Sequence, residues 1–189
     1  MSTDQTLAPR EEPTDALDPY ERAYMSDGQA VVMREKTQMN WKAQGFAAVG
    51  SLFVLVWSVT HGNVLLGLGL GVGLMLFSLL FAVLRVRVTT EHVHVQYGVM
   101  GPKIPLASIE SVEAVEHQWT NVLRWGVSPV GRSQWLYSIA GDDGRAVKIT
   151  WLKQGKRLVH YIGSPEHEEL ASAIEAARRP VALSSGDSA

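Results

Sequence analysis

Between Ala43 and Leu84 the chain carries no Asp, Glu, Lys or Arg. Within this stretch "AQGFAAVGSLFVLVWSVT" (43–60) and "VLLGLGLGVGLMLFSLLFAVL" (64–84) flank a short "HGN" turn. As helices rising 1.5 Å per residue, the two runs reach roughly 27 and 32 Å, close to the hydrocarbon thickness of a bilayer. Buried helical hairpins of soluble proteins normally keep one polar face, and neither run has one. The sequence therefore predicts a two-span membrane hairpin at 43–60 and 64–84. The start, "MSTDQTLAPREEP", lacks the basic-then-apolar order of a cleavable signal, so the first run is expected to serve as an uncleaved anchor.

The second run places Gly67, Gly69, Gly71 and Gly73 at alternate positions. A phosphate-cradling loop would need solvent-exposed backbone N–H groups and a helping Lys, Ser or Thr. These glycines sit instead among Leu65, Leu66, Leu68, Leu70, Val72 and Leu74. On a helix, Gly67 and Gly71 share one face, and Gly69 and Gly73 lie on nearly the opposite one. The expectation is that Gly67 and Gly71 receive the bulky Phe53 and Trp57 of the first helix. Gly69 and Gly73 are then left for a second protomer. Arg34, Lys36 and Lys42 precede the hairpin and Arg85 and Arg87 follow it, while the turn has no cation. The positive-inside tendency puts both chain ends in the cytoplasm, with the protein in a bacterial inner membrane.

Residues 1–33 hold seven acids against Arg10 and Arg22, a net of −5, together with Pro9, Pro13 and Pro19. That is the composition of a solvated tail, in which "DPYERAYM" offers two tyrosines to a partner. Residues 34–85 read as a juxtamembrane segment plus the hairpin, and 180–189 as a second tail.

From Arg85 the pattern alternates. "VRVTTEHVHVQYG" puts Val86 and Val88, then Val93, Val95 and Tyr97, on one face of two strands. "KIPL" and "SIESVEAVE" continue as strands, and "WLYSIA" and "AVKITW" are expected to form a hairpin around "GDDG". "WLKQGKRLVHYI" turns at Gln154-Gly155. "SPEHEELASAIEAARR" is a helix with Ser164 as N-cap, acids at its start, Arg178 and Arg179 at its end, and a stripe of Leu170, Ala171, Ile174 and Ala177. About seven strands in two packed sheets, closed by this helix, fill a mainly-β domain at 86–179.

A membrane hairpin followed by "RVTTEHVHVQYGVMGPKIPLASIESVE", "RWGV" and "GSPEHEELASAIEA" resembles the bacterial PH-like domain proteins over Ala43 to Arg178. The resemblance implies a PH-like fold tethered to the membrane and used for binding rather than catalysis, with the C-terminal helix plugging the sandwich.

Chemistry is thinly marked. The chain has no cysteine, which excludes disulfides, thiolate nucleophiles and Cys-based zinc sites, and a net charge of −2 argues against nucleic acid. His92 and His94 have metal-ligand spacing but no third donor, and read as the solvent face of an edge strand. Asp142 and Asp143 in "GDDG" read as turn formers, and His117 and His160 as sheet residues. No catalytic residue, cofactor or metal is expected. Lys153, Lys156 and Arg157 cluster at one hairpin, though residues 86–178 balance ten acids with ten bases. The long connection "WTNVLRWGVSPVGRSQW" carries Trp119, Arg124 and Trp125 as candidate contacts. The expected function is a non-enzymatic, membrane-anchored scaffold for a protein partner, self-associating through its glycines. The alternative is a sensor of anionic lipid through the Lys153–Arg157 hairpin and the Trp119–Trp125 loop.

Overall fold

The computed structural model describes residues 21, 23, 25, 29–38, 41–116, 126–139 and 144–179, with the side chains of 41–43 left aside. The order of elements is strand β1 (Val31–Gln38), helices α1 (Trp41–Thr60) and α2 (Val64–Leu80), then strands β2 (Val83–Thr89), β3 (His92–Tyr97), β4 (Lys103–Pro105) and β5 (Ile109–Glu116). Strands β6 (Gly126–Gly131), β7 (Gln134–Ser138), β8 (Arg145–Lys153) and β9 (Lys156–Gly163) follow, and helix α3 (His167–Arg178) closes the described chain.

These strands make two sheets, ordered β1-β2-β3-β4 and β5-β8-β9-β7-β6. Alternation decides which side chains go inside. Leu84, Val86 and Val88 of β2 meet Val93, Val95 and Tyr97 of β3 and Ile104 of β4, all essentially without exposed surface. The other sheet contributes Val147, Ile149 and Trp151 of β8 and Ile162 of β9 to the same core. Helix α3 buries Leu170, Ala173 and Ile174, and packs on both sheets through β1, β2, β5 and β8. Its Arg178 donates to the carbonyl of Ile109 at 2.8 Å, which ties the last turn to the start of β5.

Ser164, expected as the N-cap of α3, lies two residues before Glu166, which takes that position without a side-chain cap hydrogen bond. The Ser164 hydroxyl accepts from the N–H of Glu166 at 3.1 Å and lies 2.8 Å from both carboxylate oxygens of Glu35. Glu35 belongs to β1 and is buried, so desolvation pushes its carboxyl above the usual range, against the lowering effect of hydrogen bonds from Ser164 and Thr37. A strand that precedes the helices is thus pinned to the element that ends the domain.

Three expectations change here. First, the membrane hairpin and the inner-membrane, multi-pass placement are overturned: no helix among the described residues is long and apolar enough to cross a membrane. Helix α2 ends at Leu80 rather than Leu84, because Phe81, Ala82 and Leu84 are drawn into the β core. Its 17 residues reach only about 26 Å, against the ~30 Å of a bilayer interior. Helix α1 spends part of its length on Lys42, Gln44, Ser51, Ser58 and Thr60.

Second, the described residues are mainly β, with nine strands rather than seven. Val31–Gln38, divided in the sequence reading between a tail and a juxtamembrane segment, is a strand paired along its length with β2. Strand β6 occupies what reads as irregular connection. Pro129 is compatible with it because β6 lies at a sheet edge, where a missing N–H need not break a ladder.

Third, β7 and β8 are not neighbours. β9 lies between them, antiparallel to β8 and parallel to β7. The tight turn that does form is Gln154-Gly155, both with positive φ (51° and 75°), the conformation a two-residue hairpin requires. His92 and His94 sit on β3, which is flanked by β2 and β4 and so is no edge strand.

Candidate functional site

The outer face of the five-stranded sheet carries an open groove of about 660 Å³. Register builds it. Ser111 on β5 stands opposite Thr150 on β8, and Glu113 opposite Lys148. Lys148 in turn faces Tyr161 on β9, Thr150 faces Val159, and Val159 faces Gln134 on β7. The residues alternating with these, Val147, Ile149 and Ile162, point into the core. Core packing on one face therefore fixes the spacing of polar groups on the other.

The cations of this face have acidic partners. Lys148 Nζ donates to Glu113 Oε2 at 2.9 Å, and that hydrogen bond raises the lysine's pKa. Arg157 Nε lies 2.6 Å from Glu110 Oε2. Between the two pairs run the hydroxyls of Ser111, Thr150 and Tyr161 and the amide of Gln134. The result is a polar strip of near-balanced charge, suited to a mixed-charge surface rather than to a concentrated anion.

A second feature lies inside the sheet. His160 is buried with its ring 5.6 Å from those of Tyr137 and Trp151, and neither ring nitrogen has a hydrogen-bond partner among the described residues. Burial, reinforced by the charge of Lys153, lowers its pKa to about 4. At neutral pH it is an uncharged ring.

The third feature is the helix pair. Joined by the turn at 61–63, α1 and α2 lie against each other, and Gly67 and Gly71 are buried in the contact. A Cβ added at Gly67 would stand 2.3 Å from Cβ of Ser58, and one at Gly71 3.2 Å from the carbonyl oxygen of Ser51. The first helix thus meets these glycines with Ser51, Leu55 and Ser58. Phe53 and Trp57, expected there, are exposed instead and stack on each other, with Trp57 also stacked on His61. The reason is helical phase: residues three and four apart share a face, and the inward face carries the serines. At Gly69 and Gly73 an added Cβ would meet nothing within 4 Å.

Of the remaining sequence candidates, Lys153, Lys156 and Arg157 are exposed at the β8–β9 turn, Lys153 lying 5.9 Å over the Trp151 ring. Trp119, Arg124 and Trp125 lie outside the described residues, as do His117, Asp142 and Asp143. Among the described residues no group of three His, Asp or Glu is placed to hold a metal ion. Sequence reasoning misses Glu110, Ser111, Gln134, Lys148, Thr150 and Tyr161. Only the pairing register, which brings three non-adjacent segments together, makes them a group.

In comparisons with known proteins, the chain matches no family model, no curated protein and no solved structure. The functional reading therefore rests on geometry.

Proposed function

We propose that this chain is a non-enzymatic, PH-like binding and scaffold module that works by protein–protein contact, its helix pair docking first against a second copy of itself. One observation carries the reading. Among the described residues, nineteen of the 23 exposed large hydrophobic residues lie on α1 and α2, while the β body exposes only Val99, Met100, Trp135 and Leu152. Contiguous apolar surface beyond a few hundred Å² marks an interaction site. The open positions Gly69 and Gly73 supply the place where another backbone can come close. Two sheets plugged by a C-terminal helix support the PH-like description. The charge-balanced groove offers the β body a polar surface for a protein, and the pairing of Arg157 with Glu110 weakens the alternative of an anionic-lipid sensor.

Sedimentation of the full chain in mild non-ionic detergent tests this reading. Wild type should sediment as a defined oligomer, and Gly69→Leu with Gly73→Leu should reduce it to the 20.7 kDa monomer while circular dichroism stays unchanged. A wild-type monomer, or an oligomer indifferent to both leucines, overturns it.

A further inference from the structure

The outer face of the four-stranded sheet is a basic surface that the sequence scatters across four segments. Strand register puts Arg34 of β1 opposite Arg87 of β2, Arg87 opposite His94 of β3, and His94 opposite Lys103 of β4. In the next row Lys36 stands opposite Arg85. Like charges directly across a ladder repel, and burying them adds a desolvation cost, so such a face calls for a covering anion. Arg87 is nevertheless buried.

The cover is the chain's own N-terminal segment. Glu21 is 2% exposed, forms a two-pronged pair with Arg34, and lies 3.8 Å from Arg85 Nε. The N–H of Met25 donates to the carbonyl of Glu21 at 2.8 Å, closing one helical turn. That turn places Met25 at 1% exposure, while its carbonyl accepts from Arg87 Nη1 at 2.7 Å. Three recognitions act together: a carboxylate on two arginines, a main-chain carbonyl on a third, and a buried apolar side chain one turn after the acid.

We propose that this sheet face is a binding site for an acidic, turn-forming peptide of a protein partner, and that Glu21–Met25 is the tethered ligand that keeps it closed. A simple anion would satisfy only the first recognition; a peptide with Glu and an apolar residue four positions later satisfies all three. The tether to β1 is short, which gives the segment a high local concentration, so a partner's peptide must displace it. The inference rests on the reading of the chain as a protein-binding module and adds a second, gated site to it.

The test titrates a fluorescein-labelled synthetic peptide of residues 18–28, "DPYERAYMSDG", against the full chain. Glu21→Ala with Met25→Ala opens the face and should bind the peptide at least tenfold more tightly than wild type. The near-isosteric Glu21→Gln, which leaves Met25 in place, should give a smaller gain in the same direction, so a folding defect in the double variant does not remove the test. A peptide carrying Gln for its Glu should lose tenfold or more. Equal affinity of wild type and both opened chains, no binding by any of them, or equal binding of the two peptides overturns the proposal. The helix-pair sedimentation experiment does not read this site, so the two ideas fail separately.

Discussion

The β body and the helix pair use apolar residues in opposite ways. In the body, strand alternation and α3 take Val86, Val93, Ile149, Ile162 and Leu170 out of water. In the pair, Leu55 and two small polar residues, Ser51 and Ser58, lie against two glycines, and leucines and aromatics face outward. A protein that has to stand alone does the former. Under the proposed function, the latter is an element completed by a second copy, so the stability of the two regions should respond to different perturbations.

The largest difference should come from matched truncations. Leu170→Ala removes a fully buried side chain and should cost about 2–5 kcal/mol in denaturant unfolding. Leu66→Ala, on the exposed face of α2, should leave the same transition within about 0.5 kcal/mol.

Next comes pH. Because the folded pKa of His160 is about 4 and the unfolded value about 6.5, the unfolded chain binds the proton more readily between them. Stability of the body should therefore be full above about pH 6.5 and fall by a few kcal/mol as pH drops towards 4. His160→Phe should flatten that slope in thermal unfolding followed across the range; an unchanged slope would assign it to other groups.

Within the pair, Gly67→Val drives a methyl-bearing carbon into Ser58 and should cost about 1–3 kcal/mol. The readout is faster protease cleavage at the turn, residues 61–63. Gly69→Val should be cleaved at the wild-type rate. The smallest effect belongs to the groove: Lys148→Ala breaks an exposed pair with Glu113 and should change stability by less than about 1 kcal/mol.

The parts of the body legible in the sequence are those whose signals are local. Period-two alternation marks β2, β3 and β8, the Gln154-Gly155 pair marks the β8–β9 turn, and the Leu170–Ile174 stripe marks α3. Pairing is a long-range property and is not written locally. Strand β1 reads as a charged approach to the helices because Arg34 and Lys36 alternate with residues whose burial depends on β2. The placement of β9 between β7 and β8 is invisible when neighbouring segments are assumed to pair. The membrane expectation failed for a related reason: hydropathy continues from Val64 to Leu84, but the helix does not, since its last residues are claimed by a sheet that the hydropathy profile cannot see. The groove was hidden because each of its residues is ordinary alone. The helix-pair glycines are the opposite case: a spacing of four separates Gly67 and Gly71, buried against α1, from Gly69 and Gly73, which meet nothing within 4 Å, and the residues facing the buried pair are Ser51, Leu55 and Ser58 rather than Phe53 and Trp57.

The central question is whether the open face of α2 meets protein. The chain has no cysteine, so a single one can be introduced cleanly at Gly69, and in a second variant at Lys156 on the exposed β8–β9 turn. Mild oxidation of each purified full-length variant, followed by non-reducing electrophoresis, then compares the two regions directly. A covalent dimer is expected from Gly69→Cys and monomer from Lys156→Cys. No dimer at Gly69, or equal dimer at both positions, would contradict that contact.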